Sequence, residues 1–398
     1  MRIPKVKTNP SIYCDYSASA PLRAEVRVAM TEIDDHIFGN PSSIHQPGQA
    51  ARVALERARK SLAQSIGAKP REIIFTSGGT EANNTVLWGL LKPGDHVVTS
   101  LIEHPSVQGP LKRLQKQGIK VTQVSPAATG EVLADEVAKA IGPHTRLITI
   151  MAINNETGVV NDLTALGALA AERGVIFHTD AVQALGKLPI DVIQCGIHFL
   201  SASAHKLGGP NGVGLLYARQ MIPFQPLQSG GSQENGHRGG TENIAGAVGF
   251  AKALGLAVEE QEALYQRHLT FRKTFLRELT EEQTDFSVNG SGSSPGVINL
   301  RLPGISGHAL VMNLDAEGIA VSYGSACASG TPKPSHVLRA MGLDEAAASQ
   351  SVRISFGYGT TEAEVIRVAR VLAQVVLRMA PSIPGVTSDV TWKVEASA

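Results

Sequence analysis

The chain has 398 residues, 43% of them hydrophobic, enough apolar material to fill sizeable cores in roughly two to three domains. Lysine and arginine number 36 against 35 aspartates and glutamates, so the formal net charge of +1 gives no electrostatic reason to expect nucleic acid or an anionic membrane as partner. No apolar stretch approaches the ~18 residues of a membrane span, and Met1-Arg2-Ile3-Pro4-Lys5-Val6-Lys7 has no apolar secretion-signal core behind its charges. A cytoplasmic protein with a small substrate is the expectation. Three widely spaced cysteines, Cys14, Cys195 and Cys327, with no Cys-x-x-Cys, argue against a disulfide framework and a zinc knuckle, so no resident metal is expected.

From about Arg71 onward, short β-rich runs alternate with amphipathic stretches. The runs are 72–76, 96–99, 120–124, 146–151, 175–178, 199–202 and 212–217, with helices expected at 81–91, 106–117 and 163–173. This alternation is the sign of parallel strands joined by crossover helices. The run 212–217 follows its predecessor through Gly209-Pro210-Asn211-Gly212, which suggests one antiparallel strand. After Gly246 one long helical stretch reaches Leu279 and ends before the loop 289–296. Strands at 297–300, 320–322 and 352–355, with helices at 307–313, 335–341 and 362–379, then predict a smaller α/β lobe. The expected division is a large domain at 15–260 and a small one made of 1–14 and 261–398, which carries a loop at about 323–335.

The chemistry concentrates in a few segments. Asp180 stands just past one predicted strand and Lys206, in Ser203-Ala204-His205-Lys206, just past the next. A pyridoxal phosphate (PLP) enzyme needs this pair, since the lysine holds the aldehyde as a Schiff base and the acid keeps the pyridine nitrogen protonated. Upstream, the strand 72–76 runs into Ser77-Gly78-Gly79-Thr80-Glu81, where two glycines let backbone amides approach a phosphate at a helix N-terminus. His104, Asn155, Gln183, Ser203 and His205 fall at predicted carboxyl ends of strands, where ligands of open α/β sheets collect. An imidazole such as that of His104 can stack on a flat ring and move protons near neutral pH. Asn155 and Gln183 can bond a phenolic oxygen or substrate.

Cys327 lies in Gly324-Ser325-Ala326-Cys327-Ala328-Ser329-Gly330, a run of small and breaker residues that would expose a nucleophilic thiol. Cys14 and Cys195 read as apolar fillers. Arg353 alternates with apolar neighbours on a strand, and its planar fork suits a substrate α-carboxylate.

Together these segments resemble the cysteine desulfurases of the class V aminotransferase group, over about Tyr13 to Val375. The matching motifs are Phe38-Gly39-Asn40-Pro41-Ser42-Ser43, 76–83, Glu103-His104, 154–158, 180–183, 203–206, Arg238-Gly239-Gly240-Thr241-Glu242-Asn243 and 324–327. The resemblance implies fold type I, with a mostly parallel seven-stranded sheet in the large domain, and a homodimer with sites at the subunit interface. It implies Lys206 as the Schiff-base lysine, Asp180 on the pyridine nitrogen, and Asn155, Gln183 and His104 around the ring. Gly79, Thr80, Ser203 and His205 would bind the phosphate, Thr241 would reach the phosphate held by the other subunit, and Arg353 would take the substrate carboxylate.

Cys327 would attack the sulfur of L-cysteine, with Lys206 or His104 moving the α-proton, to leave a persulfide and L-alanine. The sulfur would pass to an acceptor such as an iron–sulfur scaffold protein, to thiolated tRNA or to cofactor synthesis. Any transient iron–sulfur ligation would fall to Cys327. The long loop after Cys327 resembles the mobile-loop branch of the family. Two segments depart from the pattern: Ala18-Ser19-Ala20-Pro21 replaces Ala-Thr-Thr-Pro, and the tail 386–392 does not resemble the family's scaffold-docking tail. Two rival readings stand beside this one. A PLP lyase releasing sulfide with pyruvate would need no thiol, and the Cys327 loop speaks against it. A non-catalytic subunit would not need the Lys206, Asp180 and His104 set.

Overall fold

The computed structural model describes residues 12–324 and 333–380. Its strands are β1 (Ile12–Tyr13), β2 (Ile73–Thr76), β3 (His96–Ser100), β4 (Lys120–Val124), β5 (Thr145–Thr149), β6 (Ile176–Asp180), β7 (Phe199–Ser203), β8 (Gly214–Ala218), β9 (Ser287–Asn289), β10 (Val297–Arg301), β11 (Ile319–Ala320) and β12 (Ser351–Ser355). Seven form one sheet in the order β2-β8-β7-β6-β5-β3-β4. Its pairs are parallel except that β8 runs antiparallel to both β7 and β2. The antiparallel exception expected at 212–217 is therefore β8.

Successive side chains of these strands point to opposite faces, and both faces are apolar. Ile74, Val97, Leu147, Phe199 and Leu216 pack with the helices Gly79–Leu90 and Pro105–Gln115. Phe75, Val98, Ile148, Leu200 and Leu215 join a larger core on the other face. That core takes in residues of the helices Ala24–His36, Gln46–Gln64, Leu163–Arg173 and Ile244–Glu259. The first two of these helices precede the region where alternation is readable in the sequence. The single helical stretch expected from Gly246 to Leu279 is two helices, Ile244–Glu259 and Gln261–Glu281, which meet at Glu260.

A separate core gathers Phe271, Phe275, Ile298, Leu300, Val352, Ile354 and one face of the helix Glu362–Met379, together with Ile12 and Cys14 from the start of the described chain. Here β10 pairs antiparallel with β12 and β9, while β1 pairs parallel with β11. Cys14 fills space in this core: it is fully buried, and burial pushes its thiol up to about 12. Among the described residues no helix is long and apolar enough to cross a membrane.

Candidate active site

Because β2, β3, β5, β6 and β7 point the same way, the segments that leave their carboxyl ends converge. They enclose a cavity of about 250 Å3 lined by Gly79, Thr80, His104, Ser106, Asn155, Asp180, Gln183, Ser203, His205 and Lys206, with Ala18, Met151, Ile153 and Val182. Nine of the twelve residues singled out from the sequence thus share one wall-to-wall space, although up to 127 positions separate them along the chain (206 − 79).

Asp180, the last residue of β6, is held from two sides. Its Oδ1 accepts from Val182 N at 3.0 Å and its Oδ2 from Asn83 Nδ2 at 2.7 Å. Asn83 also reaches Ser106 Oγ at 2.9 Å, and Ser106 bonds His104 Nδ1 through its Oγ at 2.7 Å and its backbone N–H at 3.1 Å. Since Nδ1 accepts, the proton of the neutral imidazole sits on Nε2. Burial pushes the imidazole below its ordinary range, with Lys206 and His336 adding to the effect and Asp180 opposing it. His104 is also the residue before the helix Pro105–Gln115, so helix capping fixes the ring.

Lys206 follows β7 through the turn Ala204–Lys206, and its Nζ donates to the carbonyls of Ser17 at 2.6 Å and Ala18 at 2.8 Å. His205 reaches Ser19 Oγ at 3.3 Å, and burial beside Lys206 holds its imidazole down to about 4, so the ring is neutral. Gln183 Nε2 donates to the same Ser17 carbonyl at 2.7 Å.

The Gly78-Gly79 turn opens the helix Gly79–Leu90, whose first amide groups have no partner within the helix. The space here excludes side chains. A Cβ on Gly79 would strike Val182 Cγ2, and one on Gly214 would lie 2.6 Å from Gly78 Cα. Glu81 braces the turn from outside, accepting from Ser77 N at 2.7 Å and pairing with Arg238 Nε at 3.0 Å.

Three residues singled out from the sequence stand elsewhere. Arg353 is 2% exposed; it pairs with Asp15 Oδ1 at 2.6 Å and donates to the Asn155 carbonyl at 2.8 Å, touching the cavity wall through that backbone. Thr241 is exposed on the segment before the helix Ile244–Glu259 and does not line this cavity. Cys327 lies outside the described residues. Among the described residues beyond it, Ser335 Oγ donates to Glu156 Oε2 at 2.5 Å, and His336 Nε2 bonds the Glu103 carbonyl at 3.1 Å. Among the described residues no group of histidines, cysteines and carboxylates could hold a metal ion.

Sequence reading passed over Asn83, Ser106, Ser17 and Glu103. Asn83 lies inside the run 76–83, one helical turn past Gly79, and that position of an amide is its one sequence signal; its full burial emerges only from the fold.

A mostly parallel sheet with a glycine cup, an acid and a lysine at its carboxyl edge defines the class. A model of the aminotransferase class-V family matches residues 12–368, and the chain belongs to that family, whose members are pyridoxal phosphate enzymes. It is 42% identical over 374 residues to the cysteine desulfurase IscS of Dictyoglomus turgidum, covering 92% of this chain and 95% of that protein. Among solved structures, a NifS-like protein superposes with a TM-score of 0.87 at 32% identity, covering 92% of this chain and 100% of that one. SspA in complex with cysteine superposes at 0.77 with 37% identity, covering 87% and 99%.

Proposed function

We propose that this chain is a cysteine desulfurase that uses pyridoxal phosphate to convert L-cysteine to L-alanine and delivers the sulfur as a persulfide on Cys327. The observation that carries the reading is the single cavity in which the Lys206 amine, the Asp180 carboxylate and the Gly79 helix N-terminus meet. That donor set suits the cofactor. The glycine cup, with Thr80, Ser203 and His205 beside it, would take the phosphate. Asp180, fixed by Asn83 and Val182 N, would accept from a protonated pyridine nitrogen. The His104 imidazole would offer a flat face, and the Lys206 amine would be the covalent anchor. When bound, the cofactor supplies an electron sink for the substrate α-carbon.

The residues divide the remaining work. Lys206 Nζ accepts the α-proton and returns it, while His104, which carries its proton on Nε2, serves as a donor beside it. Arg353, whose Nη1 donates to the Asn155 carbonyl in the cavity wall, is the guanidinium suited to the substrate carboxylate. The Cys327 thiolate attacks the substrate sulfur: the Cβ–S bond breaks, an S–S bond forms, and Cβ takes a proton as L-alanine leaves. L-Cysteine and a thiol become L-alanine and a persulfide, with no outside oxidant. Ser335 bonds Glu156 and His336 bonds the Glu103 carbonyl next to His104. Exposed Thr241, away from this chain's own cavity, suits a homodimer in which it serves the partner's phosphate. A protein acceptor such as an iron–sulfur scaffold then takes the sulfur.

The test is incubation of the purified protein with L-cysteine and a reductant, with alanine, sulfide and pyruvate measured in parallel for Cys327→Ser. Alanine and sulfide in equal amounts, lost in the variant, support the reading. Pyruvate with an unaffected variant makes the protein a lyase.

A further inference from the structure

Lys206 also lines a second, smaller space of about 60 Å3, which it shares with Ser17, Lys187 and His268 among others and to which His104 does not contribute. Lys187 is reached from the site through a short chain of bonds. Its Nζ donates to Gln183 Oε1 at 2.8 Å, Gln183 Nε2 donates to the Ser17 carbonyl at 2.7 Å, and that carbonyl accepts from Lys206 Nζ at 2.6 Å. One oxygen thus receives both the Gln183 amide and the Lys206 amine, and a second amine stands at the far end of the same amide.

We propose that Lys187 is a positioning residue for Lys206: it fixes Gln183 against the Ser17 carbonyl and, as a second cation facing the same enclosed space, disfavours the protonated state at the Lys206 nitrogen. Two effects push the same way. Donation from Lys187 to Gln183, and from Gln183 to the carbonyl, draws electron density from the oxygen that would otherwise steady a positive charge on Lys206. A like charge close by also raises the free energy of a neighbouring ammonium, a recognised way to activate a lysine.

Tyr16, Arg23, Tyr265, His268 and Tyr358 also line this space, and Arg353 lies near enough to act on Lys187. Burial holds His268 down to about 4 and its Nε2 has no partner, so near neutral pH it is an uncharged neighbour. Burial, with Lys206 and Arg353 nearby, brings Lys187 itself down to about 7, so it acts as a cation below that pH and as a neutral donor to Gln183 above it. No carboxylate lines the space among the described residues.

The inference rests on the cofactor reading above, and its test does not use turnover. The visible absorption band of the pyridoxal phosphate-loaded full chain is titrated against pH for the unsubstituted protein, Lys187→Met, Lys187→Arg and Gln183→Glu. A cation removed from the neighbourhood raises the midpoint by about one pH unit in Lys187→Met, equivalent to tenfold in proton affinity. Lys187→Arg stays near the original value, and Gln183→Glu, which inserts a carboxylate between the amines, moves upward. Should Lys187→Met fail to fold, the Gln183→Glu and Lys187→Arg pair carries the same contrast. Equal midpoints throughout overturn the proposal while leaving the cofactor reading intact. A loaded protein with no visible band overturns both.

Discussion

The side-chain amide of Asn83 donates to Asp180 at 2.7 Å while reaching Ser106 at 2.9 Å, so a residue of the phosphate-cup helix holds the acid at the end of β6 and, through Ser106, the His104 ring. Replacing Asn83 by Leu leaves Asp180 with Val182 N alone. A hydrogen bond to a charged group contributes about 1.5–3 kcal/mol, so pyridoxal phosphate affinity is expected to weaken at least about tenfold. Absorbance titration of the cofactor into apo protein measures this. Unchanged affinity would mean that the sheet alone positions the carboxylate.

Glu103 is fully buried beside His104, and burial pushes its carboxyl up to about 8 despite bonds from Ser100 Oγ at 2.6 Å and Met151 N at 3.0 Å. The carboxyl is therefore protonated at neutral pH. A carboxyl raised in the native state binds more protons there than when unfolded, so stability falls as pH climbs from the ordinary carboxylate range toward 8. Glu103→Gln keeps the shape and does not titrate. Its stability relative to the unsubstituted protein should climb between about pH 5 and 8, by at most about 1.4 kcal/mol per unit, and level off above. Urea unfolding at a series of pH values checks it; a flat difference would place a charged carboxylate in the core.

How much of this was readable in the sequence varies with the range of the contacts involved. The helices Leu163–Arg173 and Glu362–Met379 match the sequence reading because their signals are local: Asp162 and Thr361 cap their first turns, and Gly174 ends the former in a left-handed residue. The break at Glu260 is illegible, since that residue keeps a helical backbone and no glycine or proline marks it. Helix Ala24–His36 fully buries only Val26 and has no side-chain cap, so its pattern is faint. At the site, Asp180 and Lys206 stand out because one ends a strand and the other closes the short turn after the next. Asn83, Ser17 and Lys187 acquire their roles through contacts made only when the sheet order is known: Ser17 and Lys206 are 189 positions apart.

His178 lies wholly buried on β6, two residues before Asp180, tied to Thr149 Oγ1 at 2.8 Å and Ser201 Oγ at 3.0 Å. Burial holds it down to about 3. A histidine depressed in the native state takes up its proton more readily when unfolded, so stability is lost as pH falls from the ordinary value near 6.5 toward 3. His205 and His268, both held down to about 4, add to the loss within the same window. His178→Gln should remove about one proton's worth of the slope, roughly 1.4 kcal/mol per pH unit at its steepest. Denaturation between pH 4 and 7 reads this directly, and an unaltered slope would assign the acid sensitivity to other groups.

The buried pair Arg59 and Glu234 braces the strand that leads into the glycine cup. Arg59 donates to both oxygens of Glu234, at 2.6 and 2.8 Å, and to the Ile73 carbonyl at 2.7 Å, while Glu234 also accepts from Phe75 N at 2.9 Å. Both residues are about 5–6% exposed, so neither charge can fall back on water. Arg59→Met leaves a buried carboxylate with one backbone donor, a loss of about 3–5 kcal/mol. Adding Glu234→Gln removes that stranded charge and still accepts from Phe75 N, so the double variant should be more stable than Arg59→Met alone. A double-mutant cycle by urea unfolding gives the coupling directly. If the second substitution adds to the damage instead, the Glu234 carboxylate is not stranded by the loss of Arg59.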